Sequence, residues 1–248
     1  MYGFAIILAI QQQVIMLNET RTIFFDLGNT LLYRSEPLII SDAKLINKIG
    51  LISPVVILGV LSKHSFSFPG VYSRTEDNKK LTSLDIEMKY YSDFFNIVFD
   101  ELKIKYDMTS FIDLRCRDKR YSLYPNTLGI LKKLKSNGYQ LGIITNGRPS
   151  RQIVMDNLGI SKYVIQNIFI SDVLGFAKPS RRIFEYARSK IVGSIALCDD
   201  DISSLNSAKK IGYDTIHIDH KHKLGFSSLS TYLANCQSTD ENGTPKNL

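Results

Sequence analysis

The sequence predicts an α/β fold, a parallel sheet with helices on both faces and a mostly helical insertion, and three observations point there. Short apolar runs alternate with amphipathic segments of about ten residues through most of the chain. Polar residues stand directly after several of those runs, at Asp26, Thr145, Asn146 and Asp199. Between Ser35 and Tyr121 the alternation stops and helical spacing takes over.

The elements follow in order. Thr22–Phe25 reads as a buried strand that ends at Asp26. A helix is expected over Thr127–Asn137, stopped by Gly138, and a strand over Tyr139–Ile144. Arg151–Leu158 reads as a helix ended by Gly159, and Asn167–Ile170 as a strand leading into a turn through Gly175 and Pro179. A helix over Arg181–Lys190, a strand over Ser194–Cys198, a helix over Leu205–Ile211 and a strand over Asp214–Ile218 complete the pattern. Strands joined through helices require right-handed crossovers and a parallel sheet. Their C-terminal ends then share one edge, where ligands bind in such sheets.

Inside the interruption, Leu45–Leu61 is ambiguous because Gly50, Pro54 and Gly59 break its apolar pattern. Ile86–Tyr106 carries Tyr90, Phe94, Phe95, Val98 and Leu102 at helical spacing. This stripe is read as helix packing rather than a ligand box, within an insertion that closes over the sheet edge. Arg115, Arg117, Lys119 and Arg120 face either the cleft or solvent, with ordinary surface charge the plainer reading.

Composition narrows the function class. The 248 residues are 44% apolar and 22% charged, ordinary for a globular protein with a sizeable core. Cys116, Cys198 and Cys236 share no disulfide or metal-ligand spacing, which favours a reducing, cytoplasmic setting. The formal charge of +7 suits steering of anionic substrates but is also met by lysines spread over solvated helix faces. The basic residues form no long block and no recognition helix stands out, so no nucleic-acid partner is expected. Phe4–Ile10 is apolar but too short to span a bilayer and lacks a preceding positive charge. A mis-assigned start codon or an extra surface segment is expected there, with Met16 just ahead of the domain, and no stable membrane association.

The chemistry lies at the strand ends. Asp26 is followed by Gly28, Asn29 and Thr30, a tight-turn composition that offers backbone N–H groups to an anion. Thr145 and Asn146 can donate hydrogen bonds to phosphoryl oxygens. Lys178 can neutralise both an anionic substrate and a nearby carboxylate. Asp199, Asp200 and Asp201 repel one another unless a cation compensates, and oxygen ligands suit magnesium. Each feature has a bland counterpart: a structural strand-end aspartate, a common TNG turn, a commoner KP pair, a solvated acidic loop with a helix cap. Their order after separate strands strengthens the joint reading.

Taken together, FFDLGNTLL, GIITNG at Gly142–Gly147, GFAKPSRRIF at Gly175–Phe184 and ALCDDDISSLNSAKKIGY at Ala196–Tyr213 resemble the haloacid dehalogenase superfamily. The resemblance covers about Thr22 to Ile218. It implies a three-layer Rossmann-like core at 18–34 and 122–234 with a helical cap at 35–121, while the residues themselves suggest an extension at 1–17 and a polar, disordered tail at 235–248. It also implies a Mg2+-dependent phosphatase acting on a small-molecule phosphate ester. Asp26 would be the nucleophile, with Lys178 anchoring the phosphoryl group. Asn29, Thr145 and Asn146 would bind substrate. Asp26, the Gly28 carbonyl, Asp199 and Asp200 would ligate the metal.

The chain departs from the family at two functional positions. Gly28 stands where most phosphatases of the family carry an acid/base aspartate, and Ser204 stands where a further acid is common. Three alternatives follow: a metal-independent 2-haloacid dehalogenase, against which the DDD run argues; a non-catalytic relative that binds a phosphorylated ligand or a protein; and a phosphomutase, against which the missing acid/base argues.

Overall fold

The computed structural model describes residues 21–72, 81–117, 120–164, 166–222 and 225–237. Five strands make the central sheet: β1 (Arg21–Phe25), β4 (Gln140–Thr145), β5 (Asn167–Ile170), β6 (Ser194–Asp199) and β7 (Asp214–His217). Their spatial order is β5-β4-β1-β6-β7, and every pairing is parallel. The chain builds outward from β1 on one side through β4 and β5, then crosses to the other through β6 and β7. β1 therefore lies at the topological switch point, where the crevice of such a sheet opens.

Alternation along β1 sorts the two faces. Ile23 and Phe25 point into one apolar layer with Leu131 and Leu134 of α5 (Thr127–Ser136) and Met155 of α6 (Arg151–Asn157). Phe24 points into the other, with Ile183 and Phe184 of α8 (Arg181–Arg188) and Leu205 of α9 (Ile202–Lys209). Phe24 and Phe25 are fully buried, each contributing roughly 1.5–3 kcal/mol relative to exposure. Gly142 on β4 makes room for Phe24: a Cβ there would lie 2.3 Å from the Phe24 ring and 2.7 Å from the Asn167 carbonyl oxygen.

The ambiguous segment resolves into two helices, α1 (Leu38–Gly50) and α2 (Pro54–Ser65). Leu51 takes a left-handed conformation after α1, and Pro54 occupies the first turn of α2, where its missing N–H costs nothing. The breakers thus mark a joint between helices. The aromatic stripe falls on α3 (Leu84–Leu102), capped by the Ser83 hydroxyl, which accepts from Ile86 N–H. With α4 (Met108–Arg117), these helices enclose their own core around Phe94, Phe95, Val98 and Phe111. The helical unit joins the sheet through a two-stranded antiparallel ribbon, β2 (Leu32–Tyr33) with β3 (Ser122–Leu123).

Three further findings refine the sequence expectations. A short helix, α7 (Ser171–Leu174), follows β5, and α9 starts at Ile202, three residues before the expected Leu205. The last helix, α10 (Ser227–Gln237), runs three residues into the tail expected from 235. Residues 1–17 and 238–248 lie outside the described residues. No helix among the described residues is long and apolar enough to cross a membrane.

Candidate active site

The loop after β1 begins with Asp26, whose N–H donates to the Cys198 carbonyl at 2.9 Å, extending the β1–β6 ladder by one bond. That bond sets the Asp26 carboxylate beside Asp199, the last residue of β6. The loop then tightens. Leu31 and Leu32 N–H both bond the Leu27 carbonyl, Asn29 N–H bonds the Leu32 carbonyl, and Asn29 takes φ 60°, which asparagine tolerates better than most residues.

Lys178 sits between two carboxylates. Its Nζ donates to Asp26 Oδ1 at 2.7 Å and to Asp199 Oδ2 at 2.5 Å, and the lysine side chain is only 4% exposed. Burial alone would depress the lysine pKa, but the flanking Asp26 and Asp199 outweigh it and the value is raised. Lys178 is therefore charged through the physiological range. Asp199 is pushed up to about 7, first by burial and further by Asp26, against the opposing pull of Lys178. Asp200 is also raised, by burial and then by Asp26.

One oxygen each from Asp26, Asp199 and Asp200 lies within 4.8 Å of the others. Three carboxylates against one ammonium leave negative charge in a partly buried site, an arrangement that a hard divalent cation would relieve. Asp201 plays a different part. It caps α9, accepting from the Ser203 and Ser204 N–H groups at 3.1 Å and from both hydroxyls at 2.6 Å. The DDD run thus divides its labour, and buried Ser204 is bound to the cap.

Thr145 is buried at the end of β4. The Asn146 side chain takes a positioning place: its Nδ2 donates to the Lys178 carbonyl and its Oδ1 accepts from the Lys178 N–H, both at 2.8 Å. The carboxamide clamps the lysine loop instead of turning toward Asp26. Ser171, unremarked in the sequence, accepts from Gly147 N–H at 3.1 Å and steadies the same loop. Gly28 leaves space, since a Cβ added there would meet nothing nearer than Asp26 Oδ2 at 3.9 Å.

The helical unit is tied to this edge. Arg148 donates to the Tyr91 hydroxyl and the Gly70 carbonyl, and its guanidinium lies 5.1 Å from the Tyr91 ring centroid. Glu87 accepts from Ser150 N–H at 2.8 Å and from its hydroxyl at 2.6 Å. Arg115 and Arg120, expected to face cleft or solvent, are buried around Asp42, with Arg115 bidentate at 3.0 and 3.2 Å and Arg120 at 2.7 Å. Side chains of Arg117 and Lys119 lie outside the described residues. Tyr91, Glu87, Arg148 and Arg151 were not singled out in the sequence, because partners far along the chain give them their places.

The Glu87 tie carries a pH signature. Burial raises its pKa above the ordinary 4.5, more than the Ser150 bonds lower it. The folded state therefore holds the proton more readily than the unfolded state. The resulting stability is full below about 4.5 and is lost as pH rises through the raised value. Glu87→Gln is expected to flatten the fall in thermal stability above pH 4.5. Identical pH profiles for the two proteins would refute this account of Glu87.

The family is decided by the chain itself: the haloacid dehalogenase-like hydrolase profile matches residues 20–198. The chain is a haloacid dehalogenase-like hydrolase. Among curated relatives, the hydrolase is 45% identical over 65 residues to a glyceraldehyde 3-phosphate phosphatase of Methanothermobacter thermautotrophicus, covering 26% of this chain and 28% of that protein. It is 29% identical over 108 residues to (S)-2-haloacid dehalogenase 4A of Burkholderia cepacia, covering 42% and 46%. The chain spans less than two thirds of the length of the curated relatives it matches. In fold, the hydrolase resembles a family enzyme of Bacteroides thetaiotaomicron solved with magnesium and inorganic phosphate, at TM-score 0.55 and 16% identity over 82% of this chain and 96% of that one.

Proposed function

We propose that this hydrolase is a magnesium-dependent phosphatase that passes the phosphoryl group of a small phosphate ester to Asp26 and then to water. The observation that carries the reading is the meeting of Asp26, Asp199 and Asp200 around a single buried lysine. Asp26, Asp199, Asp200 and the Gly28 carbonyl would hold Mg2+. When bound, the ion would neutralise the carboxylates and the phosphoryl oxygens.

In the first step a carboxylate oxygen of Asp26 forms a bond to phosphorus while the ester oxygen departs in line with the electron pair of the broken bond. Lys178 holds Asp26 Oδ1 in place and offers its positive charge to the transferred group. Thr145 and the backbone of the clamped loop at Asn146 supply donors. Water then attacks the acyl phosphate, releasing inorganic phosphate and restoring Asp26. The leaving oxygen needs a proton unless it is already stable as an anion, and Gly28 has none to give. The hydrolase is accordingly expected to be slow on alkyl esters and competent on aryl or acyl phosphates.

A dehalogenase reading draws support from the same glycine, because displacing a halide needs no acid, and from the Burkholderia relative. The proximity of Asp200 to Asp26 weighs against it, since a metal-independent displacement gains nothing from a further carboxylate beside its nucleophile.

The deciding experiment is rapid mixing with p-nitrophenyl phosphate, with and without Mg2+, using Asp26→Asn as the blank. A magnesium-dependent burst near one equivalent followed by a slow phase is expected. Release no faster than the blank refutes the phosphatase and favours a non-catalytic binder. Halide release from a 2-haloacid without metal would establish the dehalogenase instead.

A further inference from the structure

A cavity of about 250 Å³ lies between the helical unit and the core, with Asn146 and Gly147 on its core side. Among the described residues, Arg34, Arg115, Arg120, Arg148 and Arg151 line it, with Glu87 as the acidic residue in its wall. Even with Asp42 counted behind Arg115 and Arg120, five guanidiniums face two carboxylates. Guanidiniums thus outnumber carboxylates among the described residues that line the cavity. Arg148 spends its bonds on neutral oxygens of Tyr91 and Gly70, and the carboxylate whose charge it meets is Glu87. Arg151 lies 4.9 Å over the Tyr121 ring, and its Nη1 is buried with no hydrogen-bond partner. Arg34 lies over the same ring at 5.8 Å.

Buried guanidinium donors left without partners are costly, and the planar fork of arginine matches carboxylate and phosphate oxygens. We propose that the substrate is a phosphate ester bearing a second anionic group, a carboxylate or a second phosphate, seated in this cavity against Arg34, Arg148 and Arg151. The inference rests on the phosphatase reading for the reacting end of that molecule. Asp26 is not among the residues that line the cavity, which touches the reacting edge only at Asn146 and Gly147. The second anion is therefore set apart from the transferred phosphoryl group by a short linker. The excess of basic residues in the whole chain acts in the same direction, drawing a multiply charged anion toward the cleft.

The test is calorimetric titration of the full chain in Mg2+ at fixed ionic strength. The probes are propylphosphonate and alkylphosphonates of two to four methylenes that end in a carboxylate or a second phosphonate. At least one bifunctional probe is expected to bind about 10-fold tighter than propylphosphonate, and the two end groups distinguish carboxylate from phosphate. Arg151→Gln and the exposed Arg34→Gln are each expected to shrink that ratio severalfold. Equal affinities, a ratio that survives both substitutions, or no binding by any probe overturns the inference. Failure of the phosphatase reading looks different: no p-nitrophenyl phosphate turnover and no propylphosphonate binding, with bifunctional probes still held through Arg151.

Discussion

Replacing Gly28 with aspartate is expected to raise turnover of alkyl phosphates by about 10²-fold, within the range that general acid–base assistance supplies. The backbone admits the change. Gly28 does not occupy the left-handed region, and an added Cβ has 3.9 Å to the nearest heavy atom, Asp26 Oδ2. The substitution lowers the entropy of the unfolded chain but adds a fourth carboxylate beside Asp26, Asp199 and Asp200, so stability is expected to fall without Mg2+ and to be restored by it. Both chemical steps would gain, because the new carboxyl could protonate the departing oxygen and then accept a proton from the attacking water. The pre-steady-state burst on p-nitrophenyl phosphate should therefore shrink as the second step accelerates. A folded variant that binds Mg2+ yet hydrolyses alkyl phosphates no faster would mean that Gly28 is not the limiting defect.

How far the sequence carries such arguments depends on how local the cause is. β5 is legible to the residue as a short apolar run, and Asp26 and Asp199 are legible as strand-end carboxylates, while Lys178 lies in the loop after α7. The pair of helices at Leu38–Gly50 and Pro54–Ser65 is obscured because glycine and proline signal a break without saying whether helices continue on both sides. Asp201 is indistinguishable in sequence from its two neighbours. Only the start of α9 at Ile202 makes it the cap and leaves Asp199 and Asp200 to face Asp26. The Asn146 clamp is hidden for a related reason. The amide reads as a phosphate donor, and nothing local shows that the lysine loop, 32 residues later, folds back onto it. The arginine cavity lies beyond sequence reading altogether, because its wall is assembled from residues between Arg34 and Val154.

Lys178→Met is expected to cost about 10²–10³-fold in kcat, the loss typical of removing one preorganised charge from a developing anion. Methionine nearly matches the stem of the lysine, so packing is retained and the missing ammonium dominates the outcome. The same change leaves Asp26 and Asp199 buried against each other, and breaking a buried ion pair by removing one partner costs about 3–5 kcal/mol. Two consequences separate this lysine from a merely structural one. Added Mg2+ should raise the thermal stability of the variant more than that of the parent, because the ion takes over the neutralisation of the two carboxylates. Turnover should not recover in parallel, since the ion cannot occupy the position 2.7 Å from Asp26 Oδ1 and 2.5 Å from Asp199 Oδ2 that the ammonium fills while also serving its own ligands. Full recovery of both stability and kcat in Mg2+ would reduce Lys178 to a charge spacer. Retention of turnover within about 10-fold of the parent would remove it from the phosphoryl-transfer machinery.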